Sequence, residues 1–221
     1  MSGPGELDED DEALAARCAE MTVEQRGHTA LLALWRLRAP LLVLGLDPGW
    51  GIHRSAVEAA FRGMLLPVHD EPLPDPGPLF TSPPEAEPEG VVAEVQLEVL
   101  AELHAWTTAR EPGAEEAERV IRLARDLSRS LDRSCEDSLW DHPARHAHAR
   151  YLATVAGGGT AVGYHEARNL RVEAACQDLV AALPPGAGLP GTAAGREALA
   201  LCEAFSAELV STLAWRENLG Y

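Results

Sequence analysis

The sequence contains no lysine, so all 18 of its basic residues are arginines. Without lysine the chain cannot build a phosphate-binding P-loop, a Schiff base with a carbonyl substrate or a Ser-x-x-Lys nucleophile. Alanine, glycine and proline are abundant, and this bias is typical of a GC-rich bacterial gene. We therefore do not interpret the arginines as residues selected for binding phosphate.

Aromatic residues are also scarce, at 5% of the chain, whereas 46% of its residues are hydrophobic. We expect a core built from leucine, valine and alanine. The most apolar stretch, residues 31–46, contains Arg36, Arg38 and Pro40 and is too interrupted for a membrane span. The Gly-Pro-Gly-Glu of residues 3–6 lacks the basic and apolar parts of a secretory signal. We expect a cytoplasmic protein that does not enter a membrane.

Positive charge is far outweighed by negative charge, since the formal net charge is -17 at pH 7. Such a surface repels the phosphates of nucleic acids over most of its area. No segment gathers enough arginine to offset that repulsion. The sequence therefore predicts partners other than nucleic acid, either another protein, a second copy of the chain or a small molecule.

The chain lacks the common catalytic and metal-binding motifs, so it identifies no cofactor. It has neither a Gly-x-Ser-x-Gly elbow nor a strand before the glycines at 157–159 that a dinucleotide fold requires. Residues 165–169 are one ligand short of a His-Glu-x-x-His zinc motif, because asparagine is a poor zinc ligand. The cysteines form no Cys-x-x-Cys pair and are expected to be reduced core residues. They are Cys18, Cys135, Cys176 and Cys202.

Apolar periodicity predicts an all-α protein, a single-domain bundle of about six or seven helices over residues 13–221. The acidic residues 1–12 are expected to form a flexible tail. Residues 67–89 are rich in proline and acidic residues and are predicted to form a long extended loop, either a solvated linker or a lid. The predicted helices cover about 22–39, 52–65, 90–110, 112–140, 141–157, 160–183 and 192–217.

The two helices on either side of the glycines at 157–159 place histidines at core positions. His148 lies on the apolar stripe of the first helix, and His165 lies on that of the second. Because both are nearly equidistant from the glycines, an antiparallel hairpin brings the two imidazoles to the same depth. The candidate catalytic residues are His148, Tyr151, His165, Arg168 and Asn169.

A metal is one interpretation of this hairpin, with His148, His165 and Glu166 as its ligands and its identity left open. Acid or base catalysis by one histidine is a second interpretation. The third is structural, because buried polar groups can satisfy one another or a trapped water. The sequence does not decide among the three.

Two functions follow as hypotheses. The first is a soluble helical module that acts through protein partners or as a homodimer, in regulation or as an adaptor. This hypothesis is favoured by the lack of catalytic motifs and by the acidic surface. It is also favoured by the expected exposure of Trp50, Trp140 and Trp215. The second is a small-molecule enzyme of bacterial specialised metabolism, with or without a metal, whose pocket surrounds His148 and His165 and is closed by residues 67–89.

Overall fold

The computed structural model describes residues 4–65, 88–108, 113–137 and 163–217, with side chains for 10–65, 88–108, 113–134 and 163–217. Eight α-helices and no strands occupy these ranges, which confirms the all-α bundle. The helices are α1 (Pro4–Glu20), α2 (Val23–Arg36), α3 (Ala39–Leu42), α4 (Arg54–Met64), α5 (Val91–Thr108), α6 (Ala114–Asp137), α7 (Tyr164–Ala181) and α8 (Ala193–Glu217). The predicted helix over 141–157 and residues 67–87 of the loop predicted over 67–89 lie outside the described residues.

Local sequence signals account for several helix boundaries. The Thr22 side chain accepts a hydrogen bond from the Gln25 amide at 3.2 Å, and the Gln25 side chain accepts one from the Thr22 amide at 3.0 Å. This reciprocal pair is the predicted capping box at the start of α2. Pro40 cannot continue a helix in its interior, so α2 ends at Arg36 and Pro40 enters the first turn of the short α3.

Residues 4–12, expected to belong to a flexible tail, form the first turns of α1. Asp11 places its carboxylate between the guanidinium groups of Arg125 and Arg129 on α6. Leu14 packs against Leu170 of α7. A run of like charges predicts only repulsion among its own members, and it cannot show that a distant helix supplies the opposite charge.

The centre of the bundle is formed by α2, α6, α7 and α8, with the most extensive contacts between α2 and α6 and between α7 and α8. The core is aliphatic, as the composition predicts. Its fully buried members include Leu32, Leu34, Val99, Leu103, Leu131, Leu209 and Leu213. Helices α7 and α8 run antiparallel, since Cys176 meets Cys202 near their connection and His165 meets Thr212 at the far end.

A glycine fixes the connection between α7 and α8. A 3-10 turn over Leu189–Gly191 packs on the first turn of α8, where Gly195 is buried. A Cβ atom at Gly195 would lie far inside van der Waals distance of the Leu189 carbonyl oxygen. Only glycine allows this backbone approach, which holds α8 against α7, the helix that carries His165, Arg168 and Asn169.

Helix α8 is long and apolar enough to span a membrane by length and composition. Its apolar residues Phe205, Leu209 and Leu213 are buried inside the bundle, and so are the polar Thr212 and Arg216. The core helix of a bundle meets the same criteria of length and composition. We therefore keep the expectation that α8 is a core helix.

Candidate functional site

The buried face of α7 carries a row of polar side chains. His165, Asn169, Glu173 and Gln177 follow one another at four-residue steps, which places them along one side of the helix. Each is at most 1% exposed. The predicted burial of His165 and Asn169 is thus confirmed. Glu173 and Gln177 were missed, although the same four-residue step continues from Asn169 and could have indicated them.

Glu173 lies at the centre of what we call the buried charge cluster, which comprises Arg36, Arg125, Glu173 and Gln177. Arg125 donates from Nε to Glu173 Oε2 at 3.1 Å and from Nη2 to Oε1. Gln177 donates from Nε2 to Glu173 Oε1 at 3.2 Å. Arg36 Nη2 lies 3.5 Å from Glu173 Oε2, and both side chains are at most 1% exposed. One carboxylate therefore faces two guanidinium groups in the core.

The cluster continues outward to the acidic α1. Asp11 binds Arg125 from the solvent side and lies 3.3 Å from Arg129 Nη2. Burial lowers the pKa of Arg125, but its hydrogen bond to Glu173 and the charges of Glu173 and Asp11 outweigh burial and raise that pKa above its ordinary value. Arg125 therefore stays charged although it is nearly inaccessible.

Glu166, the carboxylate proposed as a metal ligand, is bound to an arginine. Arg129 donates from Nε to Glu166 Oε1 at 2.6 Å. Burial lowers the pKa of Arg129, while the hydrogen bond to Glu166 and the neighbouring charges raise it above the usual value. Among the described side chains, no group of three or more His, Cys, Asp or Glu residues is placed to hold a metal.

His165 and Asn169 differ in how their polar atoms are satisfied. His165 Nε2 lies 3.1 Å from Thr212 Oγ1 on α8, and the Tyr164 ring meets the imidazole edge to face at 5.0 Å. Asn169 is 0% exposed, and among the described residues neither its Oδ1 nor its Nδ2 has a hydrogen-bond partner. His148 and Tyr151 lie outside the described residues, so their pairing with His165 stays a prediction.

Arg168 lies at the edge of the polar row, where the sequence placed it. Its guanidinium donates to Glu208 of α8 at 3.1 to 3.3 Å, and the Tyr164 hydroxyl also donates to Glu208 at 3.1 Å. The Arg168 side chain is 28% exposed. Arg168 therefore links α7 to α8 near the surface and is not part of the buried row.

Tyr164 gives this edge a measurable titration. Burial, followed by the charge of Glu208, raises the pKa of Tyr164 to about 12 from 10.0. The folded state favours the neutral phenol, so its contribution to stability is complete below pH 10 and is lost as the pH rises toward 12. We expect one of the three tyrosines to ionise late in an absorbance titration of the native protein, and the Tyr164→Phe variant to lack that step. A native titration in which every phenol ionises near pH 10 would contradict this expectation.

A carboxylate from another helix caps α7 and so fixes the position of His165. The helix begins after Gly163, which has a positive φ of 77° and gives no side-chain cap. Asp132 of α6 instead accepts hydrogen bonds from the backbone amides of His165 at 3.1 Å and Glu166 at 2.8 Å. A sequence reading could not find this cap, because caps are sought next to the helix they close.

Replacing Asp132 by alanine should lower the free energy of unfolding by about 2 kcal/mol, because two amides at the positive end of α7 lose a charged acceptor. Chemical denaturation monitored by circular dichroism measures the change. Asp126→Ala is the matched control, since Asp126 lies on the same helix with a 58% exposed side chain and a 3.7 Å ion pair. Equal effects of the two substitutions would show that Asp132 does not cap α7.

The cysteines with described side chains are buried and free, as the sequence predicts; they are Cys18, Cys176 and Cys202. Cys176 Sγ and Cys202 Sγ are 3.6 Å apart across α7 and α8. The hydrogen bond between them lowers the pKa of Cys176, whereas burial and the same hydrogen bond raise that of Cys202 well above its ordinary value. The side chain of Cys135 lies outside the described side chains, so its environment stays a prediction.

The geometry of the site thus rests on three features: the polar row of α7, the buried charge cluster and the unpartnered amide of Asn169. Comparison of the chain with protein-family models, with curated proteins and with solved structures gives no match.

Proposed function

We propose that the bundle binds a small polar molecule in its interior beside Asn169. The observation that carries the proposal is the amide of Asn169, which is fully buried and has no hydrogen-bond partner at either atom within the described part of the chain. Leaving such a group unsatisfied costs about 1 to 3 kcal/mol. A ligand that accepts a hydrogen bond from Asn169 Nδ2 and donates one to Oδ1 would recover that energy. This supports a binding site at this point of the core.

A reaction on the bound molecule would use His165, one turn from Asn169 on the same face of α7. Imidazole side chains are the usual acids and bases near neutral pH. Thr212 holds Nε2 of the ring at 3.1 Å, so the ring has a defined orientation. The proposal therefore extends to a small-molecule enzyme of bacterial specialised metabolism, in which His148 and Tyr151, on the helix predicted over 141–157, would complete the site.

Action through protein partners stays the alternative proposal, with less support from the described surface. Docking surfaces usually present a contiguous apolar patch. In the described ranges the large apolar side chains that are exposed are Val23 and Val43, on different segments. Trp50 and Trp215 are half-buried, contrary to the expected exposure, and Trp140 lies outside the described residues.

Equilibrium dialysis against a metabolite extract from a GC-rich bacterium tests the proposal. The wild-type protein should retain at least one compound, detected by mass spectrometry after denaturation, that the Asn169→Leu variant does not retain. Arg171→Gln serves as a control because Arg171 is exposed on the same helix. Retention of the same compounds by both Asn169 forms, or of none by either, would contradict a site at Asn169.

A further inference from the structure

Two free thiols lie side by side in the core where α7 meets α8. Cys176 Sγ and Cys202 Sγ are 3.6 Å apart, and their side chains are 1% and 0% exposed. Each helix supplies one cysteine, so the pair spans the antiparallel contact between them. The sulfurs of a disulfide are about 2 Å apart, so a bond here requires them to approach each other by roughly 1.5 Å.

The surroundings of the pair favour a thiolate on Cys176. Its hydrogen bond with Cys202 lowers the pKa of Cys176, burial raises that pKa, and the positive charge of Arg36 lowers it again. The result lies below the ordinary value for a thiol. Burial and the same hydrogen bond raise the pKa of Cys202 well above that value, so Cys202 keeps its proton. Because the thiolate is the form that attacks an oxidant, Cys176 is the nucleophile of the pair.

Burial restricts the oxidant by size. Both sulfurs are nearly inaccessible, so a reagent reaches them only when the contact between α7 and α8 opens locally. Hydrogen peroxide is little larger than water and needs only a small opening. A disulfide such as oxidised glutathione would have to bring two tripeptides to the buried Cys176 sulfur. A small hydroperoxide is therefore the class of oxidant that fits this position.

We propose that Cys176 and Cys202 form an oxidation site, at which a hydroperoxide converts the two thiols to a disulfide that links α7 to α8. This reaction does not require the ligand proposed at Asn169. It would make the contact between the two helices covalent under oxidising conditions and reversible by a reductant.

The reaction has two steps when hydrogen peroxide is the oxidant. The Cys176 thiolate attacks one peroxide oxygen and the O–O bond breaks; hydroxide leaves, takes the proton that Cys176 released and becomes water, and the sulfur becomes a sulfenic acid. The Cys202 sulfur then attacks the Cys176 sulfur. The S–S bond forms, the S–O bond breaks, and the leaving hydroxide takes the Cys202 proton as a second water. The two thiols together lose two electrons, which the peroxide gains.

Peptide mapping tests the reaction on the wild-type protein. The chain is reduced, separated from the reductant, treated with a small excess of hydrogen peroxide, denatured in iodoacetamide and digested with trypsin. Trypsin cleaves after arginine and places Cys176 and Cys202 on different peptides, 172–196 and 197–216. Mass spectrometry should find these peptides joined, at the sum of their masses less two hydrogen atoms, and separate after reduction. Separate peptides after peroxide treatment, or an equal yield of the joined pair with oxidised glutathione, would overturn the proposal.

Thermal unfolding measures the effect of the bond on the fold. The disulfide closes a loop over residues 177–201, which lowers the entropy of the unfolded chain. The peroxide-treated wild type should therefore unfold at a midpoint about 5 to 10 °C above that of the reduced protein. An oxidised wild type that carries the linked peptides but unfolds at the reduced midpoint would show that the bond does not stabilise the contact between α7 and α8.

Two variants locate the effect. Cys202→Ala should give neither the linked peptides nor the shift in midpoint, and its Cys176 should instead carry a sulfenic acid that dimedone traps as the chain is denatured. Cys18→Ser is the matched control, because Cys18 is a buried free cysteine of α1, and it should behave as the wild type. A peroxide-induced shift that persists in Cys202→Ala would contradict the assignment, and the wild-type peptide map does not depend on either variant.

Discussion

The Glu173→Gln variant should unfold with a free energy about 3 to 5 kcal/mol below that of the wild type. The substitution keeps the shape of the side chain and removes the carboxylate that faces Arg36 and Arg125. Both guanidinium groups would then remain in the core without a counter-charge on that side. Since domains are stable by only about 5 to 15 kcal/mol, this single change removes a large part of the total.

Urea denaturation followed by circular dichroism measures the loss. Glu203→Gln is the matched control, because Glu203 pairs with Arg38 at 2.8 Å at the surface and is 49% exposed. Exposed pairs contribute about 0 to 1 kcal/mol, so this variant should resemble the wild type. Adding Arg36→Met to Glu173→Gln should restore part of the stability, since it removes one uncompensated charge. A Glu173→Gln variant as stable as Glu203→Gln would show that the carboxylate does not hold the buried charge cluster together.

The helices could be predicted from the sequence because their information is local. Apolar residues recur every three or four positions, and Pro40 and the Thr22 capping box mark boundaries. The burial of Asn169 could be predicted for the same reason, since it interrupts an otherwise apolar stripe without shifting its spacing.

The buried charge cluster could not be predicted, because its information is spread over distant helices. Glu173 lies on α7 while its partners Arg36 and Arg125 lie on α2 and α6. A single charged residue in a helix is normally exposed, so the sequence alone identifies Arg36 only as an interruption of an apolar run. Only the packing of α2 against α6 and α7 shows that Arg36 is an ion-pair partner of Glu173.

Helix α1 shows the same limit. Its acidic residues look like a solvated tail when each is weighed against its neighbours in the chain. Asp11 acquires a structural role only when Arg125 and Arg129 come within reach from α6. The negative charge of Asp11 therefore stabilises two arginines of α6, and one of them, Arg125, also binds Glu173 in the core.

The Asn169→Leu variant should be more stable than the wild type by about 1 to 3 kcal/mol in the absence of ligand. Its amide makes no hydrogen bond to any described residue, so an apolar side chain of similar shape removes a buried polar group without breaking a hydrogen bond seen in the structure. Gln177→Leu is the matched control on the same face, because Gln177 Nε2 donates to the Leu14 carbonyl and to Glu173, each at 3.2 Å. That variant should be less stable than the wild type.

The opposite signs of these two changes in stability distinguish a ligand-binding site, in which the Asn169 amide is unpaired without ligand, from a core whose polar groups hydrogen-bond one another. Asn169→Val guards against overpacking, since its side chain is smaller than leucine and equally apolar. Destabilisation by both Asn169 variants, to the extent seen for Gln177→Leu, would mean that the amide has a permanent partner. Gains in stability together with a loss of binding would mean that the wild type keeps an unsatisfied asparagine at the expense of stability, as residues retained for function commonly do.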